Sequence, residues 1–171
     1  MSDSAVIAFY RGTGTDHAKR RIEDIWAWPH GRLESVHDYI QWLFPLPDPS
    51  RFNPAAPLLT SDDRAAFRDD PELRRRVLRS LDLLLEFLGL VRDQAGISRG
   101  SNFTVRAGVW VEPLNRNHLR LTRILLFLGA VGLETAARAL LACLESIAAT
   151  EGAGLIQGRT LQYWRDTQTA A

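Results

Sequence analysis

Apolar residues recur every three or four positions along most of the chain, which is the spacing of amphipathic helices. The first predicted helix begins at Thr15 or Asp16 and runs toward Trp28. A second helix is predicted over residues 33–44, and the five prolines in residues 45–57 predict a connection that lies on the surface of the core. Further helices are predicted over residues 60–67, 70–88, 117–129, 134–150 and 158–166.

Two of these helices have start and stop signals in the sequence. Thr60 and Asp63 match the pattern of a capping box, with aspartate in place of glutamate. Asp70 followed by Pro71 is typical of a helix start, because proline fits the first turn. The helix that follows is expected to stop at Gly89.

Residues 92–117 lack a clear periodicity and leave two structures open. The apolar runs at 103–105 and 109–111 fit short strands, but Asn102 also fits the start of a short helix. We favour the helix or irregular structure. The predicted fold is therefore all-α, a single domain over residues 1–171 in which about six to eight helices form a bundle.

Composition and charge narrow the class of protein. The chain has 171 residues, 46% of them hydrophobic and 24% charged, which excludes a fully disordered chain. Its 21 basic and 20 acidic residues argue against nucleic acid as a partner. No apolar stretch approaches the roughly 18 residues of a spanning helix, and the first residues lack a secretory leader. We therefore expect a soluble, cytoplasmic protein, and its use of arginine in place of lysine favours a bacterial source.

Few residues fit metal or nucleophile chemistry. No two histidines have the i,i+4 spacing of a helical metal site, and the one cysteine, Cys143, lies among leucines. We therefore predict no metal and no other cofactor. The arginines at 74–76 and Arg79 fit a solvated helix face on which Arg79 pairs with Asp82.

Two polar clusters have both a structural and a functional interpretation. His37, Asp38 and Gln41 lie next to the proline-rich connection, whose backbone needs hydrogen-bond partners. Arg120 and Arg123 lie three apart on one helix face, where guanidinium groups suit a carboxylate from Asp38 or from a ligand.

The run HDYIQWLFPL over residues 37–46 closely resembles the hallmark of the conserved domain of the opioid growth factor receptor family. Supporting segments stand in the same order as in the family. Phe9-Tyr10 precedes the run, and Asn53, residues 56–60, Asn102-Phe103, residues 119–125 and residues 128–134 follow it. On these residues the chain is identified as a member of that family over nearly its whole length.

The resemblance implies a receptor-like binding module. Animal members are described as receptors for the opioid peptide Met-enkephalin, associated with the nucleus and the outer nuclear membrane, with long tails that we do not expect here. We therefore expect the receptor label not to transfer. The resemblance implies no catalytic residues. It singles out candidate ligand-binding residues for a peptide or a small acidic ligand: His37, Asp38, Gln41, Asn102, Arg120 and Arg123. The alternative is an uncharacterised enzyme or a small acidic-ligand binder that uses His37, Arg120 and Arg123.

Overall fold

Ten α-helices, two short 3-10 turns and one antiparallel hairpin make up the regular structure of residues 2–170 in a computed structural model of the chain. The chain divides into two compact units, Met1–Leu81 and Asp82–Ala171, and the boundary falls within the longest helix. The N-terminal unit holds α1 (Ala5–Arg11), α2 (Ile22–Trp26), α3 (His30–Ser35), α4 (Ile40–Leu43), α5 (Ser61–Asp69) and the first part of α6 (Pro71–Leu88). The C-terminal unit holds the end of α6, then β1 (Leu90–Asp93), β2 (Gly96–Arg99), α7 (Phe103–Arg106), α8 (Arg116–Ala130), α9 (Glu134–Ala149) and α10 (Gly158–Asp166). The 3-10 turns are Ala107–Val109 and Thr167–Thr169.

A mostly helical fold is confirmed, but the all-α class and the number of helices need correction. The hairpin of β1 and β2 was not predicted, because each strand has only four residues and too few positions to show an alternation. The described part of the chain has ten α-helices instead of six to eight. The single domain over residues 1–171 stays a prediction, and residues 1 and 171 lie outside the described part.

The first predicted helix is shorter than expected because Asp16 organises a loop instead. Its Oδ1 accepts hydrogen bonds from the backbone N–H groups of Ala18 and Arg20, both at 2.9 Å. Helix α2 then begins at Ile22. Helix α1 was not predicted. It begins after Ser4, whose hydroxyl oxygen accepts the N–H of the third helical residue at 3.2 Å.

The predicted helix over residues 33–44 is two helices, α3 and α4. They are separated by residues 36–39, of which Val36 has an extended backbone. The Tyr39 side chain is fully buried, and its hydroxyl donates to the carbonyl of Leu33 at 2.7 Å. This tertiary contact favours the break, which the apolar spacing of the sequence does not reveal.

Helix α6 begins and ends where the sequence predicted. Asp70 Oδ1 accepts the N–H of Glu72 at 2.9 Å, and the helix stops at Gly89. Gly89 has a φ of +84°, and a Cβ there would lie 2.8 Å from the Cα of Phe103 and 2.9 Å from the Cβ of Arg106. Glycine is required at this position by both conformation and space.

In the C-terminal unit the hairpin is tied to the end of α9. The guanidinium of Arg99 donates to both carboxylate oxygens of Glu151, at 2.5 and 2.7 Å. These hydrogen bonds lower the pKa of Glu151 to about 2.

Two buried tryptophans of the C-terminal unit donate hydrogen bonds to backbone carbonyls of α6 and α8. Trp110 Nε1 donates to the carbonyl of Leu88 at 2.9 Å, and Trp164 Nε1 donates to that of His118 at 3.1 Å.

Along residues 2–170, every helix is either too short or too polar to cross a lipid bilayer.

We expect Gly89→Ala to lower the free energy of unfolding by about 1–3 kcal/mol, because alanine is strained at a positive φ and its Cβ would clash with the backbone of Phe103. Urea denaturation followed by circular dichroism measures the change. The matched control is Gly129→Ala, whose Cβ would meet no atom within 4 Å. Because alanine favours a helix by up to about 1 kcal/mol over glycine, the control should match or exceed the wild type. Equal stability of the two variants would contradict the prediction.

Candidate functional site

The six candidate residues are divided between the two units. His37, Asp38 and Gln41 lie in the N-terminal unit, and Asn102, Arg120 and Arg123 lie in the C-terminal unit. His37 is exposed, whereas Gln41 and Arg120 are buried. His37 is therefore accessible to solvent, whereas Gln41 and Arg120 are not.

Both carboxylate oxygens of Asp38 are bound by neighbours from its own unit. Oδ2 lies 3.0 Å from His17 Nε2, and Oδ1 accepts Arg20 Nη2 at 2.9 Å. Burial alone would raise the pKa of Asp38, but the hydrogen bond and charge of Arg20 outweigh it and hold the pKa below its usual value. The arginine that binds this carboxylate is therefore Arg20, in place of the Arg120 or Arg123 considered from the sequence.

The imidazole of His17 is held from its other side by Trp42. Trp42 Nε1 donates to His17 Nδ1 at 3.1 Å, and the two rings stack 6.3 Å apart at 16°. Since Nδ1 accepts, the hydrogen bonds assign the proton to Nε2, which donates to Asp38. A general base needs a free lone pair on its imidazole. The lone pair of His17 is already used, so this histidine orders the hallmark run, residues 37–46.

Gln41 ties the proline-rich connection to the core. Its Oε1 accepts the Nδ2 of Asn53 at 3.2 Å, and both side chains are buried. The two ends of the connection also meet, because the N–H of Leu59 donates to the carbonyl of Leu46 at 2.9 Å. This contact matches the structural interpretation of the hallmark polar groups.

His118 is a buried structural histidine. Its Nε2 lies 2.8 Å from the carbonyl of Trp110 and donates to it, and its ring meets the edge of Trp164 at 5.6 Å. Burial lowers the pKa of His118, although the hydrogen bond to Trp110 opposes the shift. The imidazole is therefore neutral at pH 7.

The two candidate arginines of α8 are partly or fully buried. Arg120 is only 7% exposed, and its Nη1 donates to Asn117 Oδ1 at 3.3 Å. Burial lowers the pKa of Arg123. Arg120 therefore has little surface left with which to bind a ligand.

The arginines of α6 are bound within the protein. Arg74 donates to the carbonyl of Arg68, Arg75 pairs with Glu72, Arg76 pairs with Glu23, and Arg79 lies over the ring of Trp26 at 5.0 Å. The predicted pair of Arg79 with Asp82 is wrong. Asp82 is bound instead by Arg92 of β1, which the hairpin brings close. Nε and Nη2 of Arg92 donate to the two carboxylate oxygens of Asp82 at 2.8 and 2.9 Å.

A cleft of about 500 Å³ lies in the C-terminal unit. It runs between α6 and β1, and the turn after β2 closes it. Its lining residues are Asp82, Leu85, Glu86, Leu90, Val91, Arg92, Gly100, Ser101 and Asn102. Leu85 and Leu90 are buried and form an apolar floor, whereas Glu86 is exposed at the rim.

Asn102 is held in a defined orientation in this cleft. Its Nδ2 donates to the backbone carbonyl of Glu86 at 3.1 Å, which turns Oδ1 away from the helix. Gly100 makes the close approach possible, since a Cβ there would lie 3.1 Å from this Oδ1. Within residues 2–170, no hydrogen bond reaches Asn102 Oδ1 or the carboxylate of Glu86. The cleft therefore offers acceptors above an apolar floor.

The sequence-family model of the opioid growth factor receptor (OGFr) conserved region matches residues 3–169 of this chain. This chain belongs to that family. The mouse (Mus musculus) opioid growth factor receptor is 40% identical over 119 residues, which are 66% of this chain and 18% of the receptor. The human (Homo sapiens) receptor is 38% identical over 122 residues, 66% of this chain and 17% of the receptor. The mouse opioid growth factor receptor-like protein 1 is 36% identical over 122 residues, 67% of this chain and 25% of that protein.

The chain spans about a fifth to a quarter of the length of the curated relatives it matches. No solved structure matches it. The relatives are vertebrate proteins, so the bacterial source stays a prediction.

The sequence did not point to four of the side chains that shape these sites. His17 and Arg20 reach Asp38 from a loop, and Glu86 and Arg92 join the cleft from α6 and β1. Near the first pair the sequence carries only the helix-start signal at Thr15 or Asp16, which singles out neither His17 nor Arg20. Nothing in the sequence marks the second pair, because the hairpin that brings it together was not predicted.

Replacing Trp42 by alanine should lower the free energy of unfolding by about 3–5 kcal/mol, because it removes a buried aromatic ring. Trp42 is 6% exposed and also packs edge-on against Phe9 at 5.3 Å. Thermal and chemical denaturation measure the loss. Trp42→Phe, which keeps a ring but loses the hydrogen bond to His17, should fall in between. A variant as stable as the wild type would contradict a role in the core.

Stability should fall as the pH drops below 6.5, in part because of His118. The pKa of His118 in the folded protein lies below the ordinary value of 6.5, so the unfolded chain takes up a proton at a higher pH than the folded protein does. Acidification therefore favours the unfolded state and lowers the free energy of unfolding. Above that pH both states are neutral and the contribution vanishes. His118→Gln keeps a nitrogen donor toward Trp110 but does not titrate, so its stability should fall less steeply. Identical pH profiles would refute this contribution.

Proposed function

We propose that this chain is a peptide-binding module and that the cleft of the C-terminal unit is its binding site. The observation that carries the proposal is the pair of acceptors in the cleft, the Glu86 carboxylate and Asn102 Oδ1, which no hydrogen bond from the described chain reaches. The volume of about 500 Å³ lies within the range of ligand sites. Asn102 is also the one candidate residue of the sequence that lines this cleft.

The charge of the cleft favours a basic peptide over the small acidic ligand considered from the sequence. Asp82 is neutralised by Arg92, which leaves Glu86 as an unbalanced negative charge at the rim. The apolar floor of Leu85 and Leu90 suits an apolar side chain of the same peptide. The arginines that would receive an acid lie elsewhere, on α8, where Arg120 is buried.

The names of the relatives support binding as the general activity. They are called opioid growth factor receptors, and the matched part of each is a fraction of its length. We therefore carry over binding alone and leave the opioid ligand to experiment. The alternative of an enzyme that uses His37, Arg120 and Arg123 is less favoured, because Arg120 is buried and its guanidinium donates to Asn117.

Thermal-shift measurements with a panel of short basic, neutral and acidic peptides test the proposal. Basic peptides should raise the melting temperature of the wild type, because only they offer a cation to Glu86. Glu86→Gln should lose most of this shift. The control is Glu134→Gln, an exposed carboxylate in the first turn of α9 outside the cleft, which should respond like the wild type.

Two results would refute the proposal: no peptide raises the melting temperature, or Glu86→Gln responds like the wild type. Met-enkephalin belongs in the same panel. We expect no saturable binding of Met-enkephalin in the micromolar range. A clear rise in the melting temperature would show that this chain binds the opioid peptide.

A further inference from the structure

We infer that the peptide binds by strand addition, pairing its backbone with the free edge of β1. The inference rests on the proposed function and adds the mode of binding. The sheet has two strands in the order β1-β2, so along residues 2–170 β1 has a strand neighbour on one side alone. An unpaired edge presents a row of N–H and C=O groups that another extended chain can complete.

The register of the hairpin decides which groups lie at that edge. Asp93 pairs with Gly96 across a two-residue loop, and such a closing pair exchanges hydrogen bonds. Hydrogen-bonded and non-hydrogen-bonded pairs alternate in an antiparallel ladder. Val91 therefore bonds to β2, whereas Leu90 and Arg92 turn their N–H and C=O groups away from it.

The cleft lies along this edge. Three successive residues of β1, Leu90, Val91 and Arg92, line it, and α6 forms its opposite wall. The fork of Arg92 on Asp82 joins the two walls. Of the two outward-facing residues Leu90 is buried and Arg92 is partly exposed, so the N–H and C=O groups of Arg92 are the ones open to a peptide in the cleft.

The side chains around the edge select the kind of peptide. Successive side chains of a strand point to opposite faces. An alternating peptide can thus lay its apolar side chains on the floor at Leu85 and present its basic ones to Glu86. A second copy of this chain is a poorer occupant, because the one cationic side chain of its β1, Arg92, is already bound to Asp82 and leaves no cation for Glu86.

The test uses a fluorescent, end-blocked hexapeptide of alternating valine and lysine, titrated with the full chain and followed by anisotropy. Arg92→Pro removes the outward N–H without removing a ladder hydrogen bond, which proline tolerates on an edge strand. Arg92→Ala is the matched control, because it removes the same guanidinium and keeps the N–H. We expect Arg92→Pro to bind about tenfold more weakly than Arg92→Ala, the effect of losing one well-formed hydrogen bond.

A second arm tests the same pairing from the side of the peptide. The hexapeptide N-methylated at alternate residues cannot donate from those positions, and it should bind the wild type at least about tenfold more weakly than its parent. This arm decides the matter if circular dichroism shows that Arg92→Pro does not fold.

The outcomes separate the binding mode from the binding function. If the parent peptide binds and neither proline nor N-methylation weakens it, strand addition is refuted while the binding module stands. If the parent peptide does not bind, strand addition is refuted, and the proposed function then depends on the thermal-shift panel. If sedimentation shows a dimer of the wild type that Arg92→Pro abolishes, the edge belongs to a second copy and the peptide is the wrong occupant.

Discussion

Buried aromatic rings in this protein carry polar atoms, and the need to hydrogen-bond those atoms constrains the arrangement of the helices. The hydroxyl oxygen of Ser80, fully buried on α6, accepts Nε1 of Trp26 from α2, and the Ser80 hydroxyl donates to the hydroxyl oxygen of Tyr10 from α1, each at 3.0 Å. Tyr10 in turn donates to the carbonyl of Leu43 at the end of α4, at 2.5 Å. An unpaired polar group at any of these places would cost about 1–3 kcal/mol. These hydrogen bonds connect α1, α2 and the end of α4 to Ser80 of α6.

The C-terminal unit follows the same rule with tryptophan. The indole of Trp110 donates to the last turn of α6 at Leu88, and the indole of Trp164 donates to α8 at His118. His118 in turn donates to the carbonyl of Trp110. The carbonyls of Leu88 and Trp110 lie at the ends of helical segments, where such groups lack a partner within the helix, whereas the carbonyl of His118 lies in the first turn of α8. The loops between these helices are thus held in place by side chains, and the cleft lies beside them on a fixed frame.

The hallmark run and the candidate binding site turn out to be different parts of the molecule. In the hallmark, Asp38, Gln41 and Trp42 bind a neighbouring loop and the proline-rich connection. Those contacts give these residue types a role in the fold of the N-terminal unit. The cleft lies in the other unit and depends on Glu86 and Asn102, which have acceptors to spare. The motif therefore identifies the family through residues that hold the N-terminal unit together.

By itself the sequence determined the long helices and their ends. The apolar spacing predicted α6, α8, α9 and α10 closely, and Asp70, Pro71 and Gly89 marked the limits of α6, because helix period and end signals are local properties. Tertiary structure alone decided the rest. The break after α3 is favoured by the hydrogen bond from the Tyr39 hydroxyl to the carbonyl of Leu33, which apolar spacing does not reveal, and the hairpin at residues 90–99 is too short to leave a periodic signal. The cleft exists only because that hairpin stands opposite α6, and contacts between residues far apart in the chain cannot be read from spacing.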